Sequence, residues 1–277
     1  MDKPKFMEHI DSNFATYKDW SNTWQQDTTG KEDHLKSPYL DKEFKDVNVK
    51  SNKDQGLGFG GSWSALSDHG EATNLNLVHM KGFDPLDAND LTRAEMTGRR
   101  GVLQAIKSLK KNIPGWQNTK LRNVAMTVGI RDSRKIVGKY NLTGRDVATQ
   151  AKFSDSIGVF PEFIDGYNIL ILPTSGRFFE VPLGCLTPDT ENLLVAGRCV
   201  AGDMVSHAAM RNMMACTVTG QGAGVAAAIS YRRGEDSSQV NVREVQLELV
   251  RQGVNIHGYE GMGPEWAGSQ SEGKSKF

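Results

Sequence analysis

The chain has 277 residues, 38% of them hydrophobic, and its 33 basic and 33 acidic side chains give a formal net charge of zero. This length allows one large domain or two small ones, and the balanced charge gives no reason to expect nucleic acid or a membrane as a partner. The cysteines Cys185, Cys199 and Cys216 lack the spacing of a metal site. Because the cysteines are few and odd in number, we predict that their thiols are reduced, as in the cytoplasm.

The chain begins with a polar segment, residues 1–56, that is rich in Lys and Asp. We predict that most of it is a linker or loosely packed surface. The aromatic residues Phe14, Tyr17, Trp20 and Trp24 predict one short amphipathic helix, because the last three fall on one helical face.

Helix and strand signals alternate between residues 57 and 190, as is typical of a mixed α and β region. The sequence Thr-Arg-Ala-Glu at 92–95 predicts a capping box that opens a helix, and Pro114-Gly115 predicts its end. Thr143-Gly-Arg-Asp146 predicts the start of a shorter helix by the same chemistry.

Apolar runs in this region predict strands. Residues 123–130 predict a buried strand. Residues 167–172 and 178–181 predict the two strands of a hairpin, which turns at the sequence Thr-Ser-Gly of residues 174–176.

The C-terminal part begins with the apolar sequence Leu-Leu-Val-Ala at 193–196, which predicts a short buried strand. A long helix of small residues is predicted for 208–231 and ends at Gly234. A last helix is predicted to begin after Asn241, whose side chain would cap it, and to end at Gly253.

Two glycine patterns allow more than one interpretation. Residues 56–61 fit G-x-G-x-x-G, but the polar residues 50–55 precede them where a dinucleotide-binding turn needs a buried strand, so we favour a plain glycine loop. Residues 222–227 fit G-x-G-x-x-A, with 216–219 as a possible strand, but no adequate second strand follows. The remaining interpretation places these glycines inside the helix 208–231, where they allow close packing.

The strongest chemical signal runs from the apolar sequence at 193–196 through a Gly-Arg turn at Arg198 to Asp203 and the long helix. The Asp203 carboxylate can accept hydrogen bonds from a ligand's hydroxyl groups. The nearby helix N-terminus would offer amides and a positive dipole to negative charge.

Several stretches together resemble a known family. They are LTRAEMTGRR at 91–100, IPGW at 113–116, VGIRDSRKIVGKY at 128–140 with LT at 142–143, and residues 191–228. In this order they are similar to the C-terminal portion of the FAD-dependent oxidoreductase family related to fumarate reductase flavoproteins and heterodisulfide reductase A-like proteins. The resemblance extends from about Gly56 to Gly253.

The resemblance implies an α/β fold of mixed α+β type, the second half of a two-domain FAD-binding fold. It would contain the substrate-domain sheet and the closing strand and helix of the FAD domain. The implied regions are 1–56 (polar segment), 57–190 (substrate-domain-like), 191–253 (C-terminal part of the FAD-binding domain) and 254–277 (a disordered tail).

The resemblance also implies contacts with the cofactor. Asp203 would meet the ribityl chain, and backbone amides near the start of the helix would meet the flavin ring. The implied cofactor-binding residues are Arg198, Asp203, Arg211, Asn212, Met213 and Met214.

Catalytic candidates follow from the same resemblance. Arg131 and Arg134 would lie at the flavin or substrate face, where the family has a similar arginine pair; a structural ion-pair network is the alternative. His207 is a candidate acid or base, and a cap or a satisfied surface group is the alternative.

The implied function is an FAD-dependent oxidoreductase chain that transfers a hydride from a small-molecule substrate to flavin. Residues 1–56 contain no counterpart of the family's first strand–glycine turn–helix unit. We therefore expect a weak or incomplete FAD site in this chain alone, as in a truncated or split enzyme, and a partner chain that supplies the missing half. The second hypothesis is a non-catalytic partner or decayed paralogue that keeps this half of the fold without binding FAD.

Overall fold

The computed structural model describes residues 1–13, 25–27, 44–46, 57–62, 65–73, 75–166, 169–171 and 177–258. The chain divides into two units. The first contains the described residues up to Arg131 except 25–27, and the second contains 25–27 and the residues from Asp132 onward. Helices and small antiparallel sheets occur together, which confirms the predicted mixed α+β class.

The helices are α1 (Lys3–Asn13), α2 (Ala88–Asn112), α3 (Gly144–Ala148), α4 (Met204–Met210), α5 (Met213–Arg233) and α6 (Val242–Arg251). The strands are β1 (Gln25–Asp27), β2 (Leu57–Ser62), β3 (Ala65–Leu66), β4 (Ala72–Thr73), β5 (Asn76–Met80), β6 (Ser156–Pro161), β7 (Ile164–Gly166), β8 (Ile169–Ile171) and β9 (Phe178–Pro182). Short 3-10 turns cover Leu183–Leu186, Gly197–Cys199 and Ser237–Gln239. Within the described ranges, no helix is both long and apolar enough to cross a membrane.

In the first unit, α2 packs on the antiparallel pair β2–β5. The helix begins one turn before the predicted capping box, because Asp87 caps it and accepts from the amides of Asn89 and Asp90. The hydroxyl of Thr92 instead donates to the Ala88 carbonyl, 2.8 Å away. The helix ends before Pro114-Gly115, as the sequence predicts.

The glycines of residues 57–61 lie in β2, which pairs with β5 in antiparallel fashion. Both interpretations of this pattern were therefore wrong. A glycine strand next to an antiparallel partner offers neither a loop nor a helix N-terminus to a phosphate.

Helix α1 shows that part of the N-terminal segment belongs to a core. Phe6 is fully buried and meets Trp116 edge to face, with ring centroids 5.4 Å apart. The prediction of a linker or loose surface is therefore wrong for this helix. The amphipathic helix predicted from Phe14 to Trp24 lies outside the described residues.

The buried strand predicted at residues 123–130 is absent, since this stretch has no regular structure. Met126 is 89% exposed. Its carbonyl accepts from Arg99 over 2.9 Å, and the amide of Val128 donates to the carboxylate of Glu95. Side chains of α2 thus form hydrogen bonds with backbone groups that would pair with a neighbouring strand if this stretch were itself a strand.

In the second unit, β6 pairs with β9, while β8 pairs with β7 and β1. Residues 169–171 and 178–181 are strands as predicted, but they are not the two arms of one hairpin. The turn predicted at 174–176 lies outside the described residues. Helices α5 and α6 pack on β6, and the core is built from buried aliphatic and aromatic side chains that include Ile157, Phe179, Val181, Leu186, Ala226 and Leu249.

The long helix predicted for 208–231 is two helices, α4 and α5, which meet at Arg211 and Asn212. Residues 216–219 are helical, which excludes the dinucleotide-binding interpretation of residues 222–227. Gly234 ends α5 in the left-handed conformation, with φ of 67°, as predicted.

The strand predicted at residues 193–196 is also absent. The amide of Val195 donates to the Leu186 carbonyl over 2.8 Å, but the stretch is not assigned to a sheet. Leu193 is 42% exposed rather than buried. No described strand forms a ladder with this segment.

The last helix agrees with its prediction. Asn241 caps α6 and accepts from the Arg243 amide, and the helix ends shortly before Gly253. Residues 259–277, most of the predicted tail, lie outside the described residues. The domain boundaries predicted from the sequence remain predictions.

Candidate functional site

Asp203 is held at the N-terminus of α4 by three hydrogen bonds. Its amide donates to the Leu142 carbonyl over 2.9 Å. One carboxylate oxygen accepts from the Ser206 amide at 2.7 Å and the other from the Gly144 amide at 2.9 Å. Asp203 is nevertheless exposed. An ionised carboxylate has about four acceptor positions, so Asp203 retains acceptor capacity for a ligand.

Glycine at position 144 allows this geometry. A Cβ atom there would lie 2.7 Å from the Cβ of Val205. Only glycine therefore lets the start of α3 come close enough for its amide to reach Asp203.

Three of the predicted site residues lie along one side of α4. Asp203, His207 and Arg211 are four residues apart, and side chains at this spacing are neighbours on a helix surface. Each of the three is bonded to a different segment of the second unit. These three polar side chains therefore anchor α4 to the rest of the second unit.

His207 is buried, with 3% of its surface exposed. Its Nε2 atom lies 3.3 Å from Oδ1 of Asp132. The same oxygen accepts from Lys135 Nζ at 3.0 Å and from the Ser133 amide at 2.9 Å. Sequence reasoning missed Asp132, and no periodicity or spacing signal connects it to His207.

Arg211 forms an ion pair with Asp165 of β7, with Nη2 3.1 Å from Oδ2. The guanidinium also donates to the Asp165 carbonyl. Both side chains are 13% exposed. Arg211 thus joins the C-terminal end of α4 to the sheet.

The start of α5 lacks a side-chain cap. The Asn212 side chain turns back and donates to the Ala208 and Ala209 carbonyls, at 3.2 and 2.7 Å. No described side chain accepts from the first amides of this helix. By contrast, a side chain caps α2, α3, α4 and α6.

Met213 and Met214 follow at this open end, and their side chains are 86% and 70% exposed. Exposed apolar side chains beside uncapped helix amides offer a surface to a flat, partly anionic group.

Arg198 lies in the 3-10 turn Gly197–Cys199, which contacts α5. The Gly197 amide donates to the Thr219 hydroxyl over 3.0 Å. Burial raises the pKa of the Cys216 thiol above its ordinary value, and the charge of Arg198 partly opposes this rise. The thiol is therefore protonated, and unreactive, near neutral pH.

Arg131 and Arg134 are both exposed. Arg131 belongs to the first unit and Arg134 to the second. Arg134 lies one residue before Lys135, within the turn that Asp132 and its partners hold.

A family described as FAD dependent oxidoreductase matches residues 3–249 of the chain. The chain therefore belongs to the FAD-dependent oxidoreductase family, whose general function is oxidoreduction. The match begins near the start of α1, so that it includes the N-terminal segment beyond the predicted resemblance. No curated protein and no solved structure matches the chain.

The described residues fit one end of FAD. Asp203 has acceptor capacity for ribityl hydroxyls, and the uncapped start of α5 suits the electron-rich edge of a flavin ring. The glycines that could approach a pyrophosphate are in the wrong elements: those of 57–61 lie in a strand, and those of 220–224 lie inside α5. In the described residues, no strand leads through a G-x-G-x-x-G turn into a helix, which is the unit that would hold the ADP half.

Proposed function

We propose that this chain forms the ribityl- and ring-facing side of an FAD site, in an oxidoreductase that removes a hydride from a small substrate. The observation that carries the proposal is the uncapped N-terminus of α5. Because the chain belongs to the FAD-dependent oxidoreductase family, FAD is the cofactor that we expect at this uncapped helix end.

Each contact has a defined role in the proposal. The Asp203 carboxylate accepts hydrogen bonds from ribityl hydroxyls and fixes the depth of the cofactor. Amides of Met213 and Met214 donate to the ring edge, where their dipoles stabilise negative charge. The Asn212 amide is not available for this role, because it donates to the Ala209 carbonyl over 3.2 Å. When bound, the flavin supplies the hydride chemistry itself.

The exposed arginines are the proposed substrate contacts. Arg134 and Arg198 are solvent-accessible cations of the second unit, and guanidinium groups suit carboxylates and phosphates. Arg131 belongs to the first unit, and its role remains a prediction from the sequence. A negatively charged small molecule is the substrate class that these residues favour.

We further propose that a partner chain covers the exposed surface formed by Leu193 and the uncharged part of α5, and that this partner supplies the ADP half of the site. Leu193 is 42% exposed, and α5 carries no charged residue before Arg232. Gly220 and Gly224 also face open space, since no atom lies within 4 Å of a Cβ built on either. Large uncharged surface of this kind is typical of an interface.

A non-catalytic subunit is the second candidate. It is favoured by the engagement of Arg211 and His207 in ion-pair contacts, which would hold the fold without any cofactor. In that case no flavin binds to the chain.

The effect of Asp203→Ala on flavin binding tests the proposal. Full-length chain is titrated with riboflavin, and binding is followed by flavin fluorescence. We expect D203A to weaken binding by about tenfold to a hundredfold, because a hydrogen bond to a charged group is worth about 1.5–3 kcal/mol.

Asp236→Ala is the matched control. Asp236 is a half-buried capping carboxylate that likewise accepts from two amides, those of Asn192 and Ser238. We expect D236A to bind riboflavin like the wild-type chain. Equal loss in both variants, or no riboflavin binding by the wild-type chain, would contradict the proposed site.

A further inference from the structure

We propose that Asp132 and His207 are positioning residues of the proposed flavin site, and that His207 acts as a fixed N–H donor rather than as a proton carrier. The inference rests on the proposed function for its link to flavin. Its structural part can be tested without any flavin.

The groups around Asp132 indicate where the hydrogen lies in its 3.3 Å contact with His207. Its Oδ1 atom already accepts from Lys135 Nζ and the Ser133 amide, as an ionised carboxylate does. Because an ionised carboxylate can only accept, the hydrogen in this contact must belong to His207. The imidazole therefore carries hydrogen on Nε2.

Burial separates the positioning role from proton transfer. The His207 side chain is 2% exposed, whereas that of Asp132 is 35% exposed. A general acid or base must reach the reacting proton directly or through one water molecule. Because the His207 ring is almost fully enclosed, it can position the helix that carries it but cannot contact a substrate.

The contact between Asp132 and His207 holds helix α4 in position. This helix has seven residues, and so short a helix has little stability without tertiary contacts. Asp203 lies at its start, and the uncapped amides of α5 follow its end. The Asp132 contact at the middle of α4, together with the Asp165 contact of Arg211 one turn later, fixes the rotation of α4. That rotation sets where Asp203 and the start of α5 lie.

Three variants of the full-length chain separate the two roles. H207A removes the donor. H207Q keeps an N–H donor at about the distance of Nε2 but cannot carry a proton. S230A is the control, because Ser230 is a buried polar residue of α5 whose hydroxyl donates to the Ala226 carbonyl 2.9 Å away, outside the proposed site.

The first readout needs no flavin. Nitrogen-15 NMR of the histidine rings is expected to show the Nε2–H tautomer for His207. Amide hydrogen exchange in α4 is expected to rise by about tenfold or more in H207A, and to stay near the wild-type rate in H207Q and S230A. An Nδ1–H tautomer, or unchanged α4 exchange in H207A, would overturn the proposal.

The second readout is the dissociation constant for riboflavin. We expect about tenfold weaker binding in H207A and wild-type binding in H207Q and S230A. Binding as weak in H207Q as in H207A would show that a hydrogen-bond donor does not suffice and would overturn the proposal. If the wild-type chain binds no riboflavin, the proposed function fails, and the tautomer and exchange results still decide whether Asp132 and His207 hold α4.

Discussion

The amide of Gly144 donates to Oδ2 of Asp203 over 2.9 Å, which joins the start of α3 to the start of α4. A Cβ at position 144 would lie 2.7 Å from the Cβ of Val205. The two helix starts can therefore meet only if this residue has no side chain.

Gly144→Ala is expected to destabilise the chain by about 1–3 kcal/mol, because the added methyl group forces α3 away from α4. Chemical denaturation measures the change. Gly220→Ala is the matched control: position 220 is exposed, lies inside α5 and has no atom within 4 Å of an added Cβ. There the substitution is expected to stabilise the chain by up to about 1 kcal/mol. Equal effects at both positions would show that the α3–α4 approach is not tight.

Arg211→Ala is expected to cost about 3–5 kcal/mol, because it removes the guanidinium from a carboxylate that is only 13% exposed. The comparison is Arg251→Ala, which breaks the pair with Glu248 at an arginine that is 73% exposed. That change is expected to have little effect on the free energy of unfolding, because water and salt screen an exposed pair. Both values come from denaturation curves, and similar costs would contradict the anchoring role of Arg211.

The Tyr140 hydroxyl donates to Oδ2 of Asp146 over 2.9 Å. Burial, and then this bond to Asp146, raises the pKa of Tyr140 from 10.0 to about 12. In the unfolded chain the phenol ionises at its ordinary pKa, while in the folded chain it stays protonated. Its contribution to stability is therefore complete below pH 10 and is lost as the pH rises towards about 12.

The measurement is the unfolding free energy of the wild-type chain and of Tyr140→Phe across this alkaline range. The difference between the two proteins should change with pH only above pH 10. A constant difference would show that Tyr140 ionises alike in both states. Spectrophotometric titration of tyrosinate provides an independent check.

Local chemistry in the sequence predicted several helix ends, although α2 begins one turn before the capping box predicted at Thr92. The capping box of Thr143 and Asp146 is present, with both reciprocal hydrogen bonds. Gly234 and Asn241 also cap helices as predicted. These signals succeed because a cap depends on residues within one or two turns of it.

Strands were predicted less well, because an apolar run becomes a strand only where a partner lies beside it. Residues 123–130 and 193–196 have suitable side chains, but no described strand pairs with either. The contact between Asp132 and His207 escaped prediction for the same reason, since it joins segments that are far apart in the sequence. The break between α4 and α5 also gave no signal, as neither glycine nor proline lies at Arg211 or Asn212.

In the proposed site, this chain contacts the ribityl chain and ring of FAD but not its ADP half. The most direct measurement compares the dissociation constants of the full-length chain for FAD and for riboflavin, which lacks the ADP group. Because the proposed contacts are common to both ligands, we predict similar, weak binding of the two, and loss of the flavin on gel filtration. FAD binding that is tighter than riboflavin binding by about a hundredfold, a difference of about 2.7 kcal/mol, with flavin retained through gel filtration, would show that the chain also binds the ADP half and would contradict the proposed site.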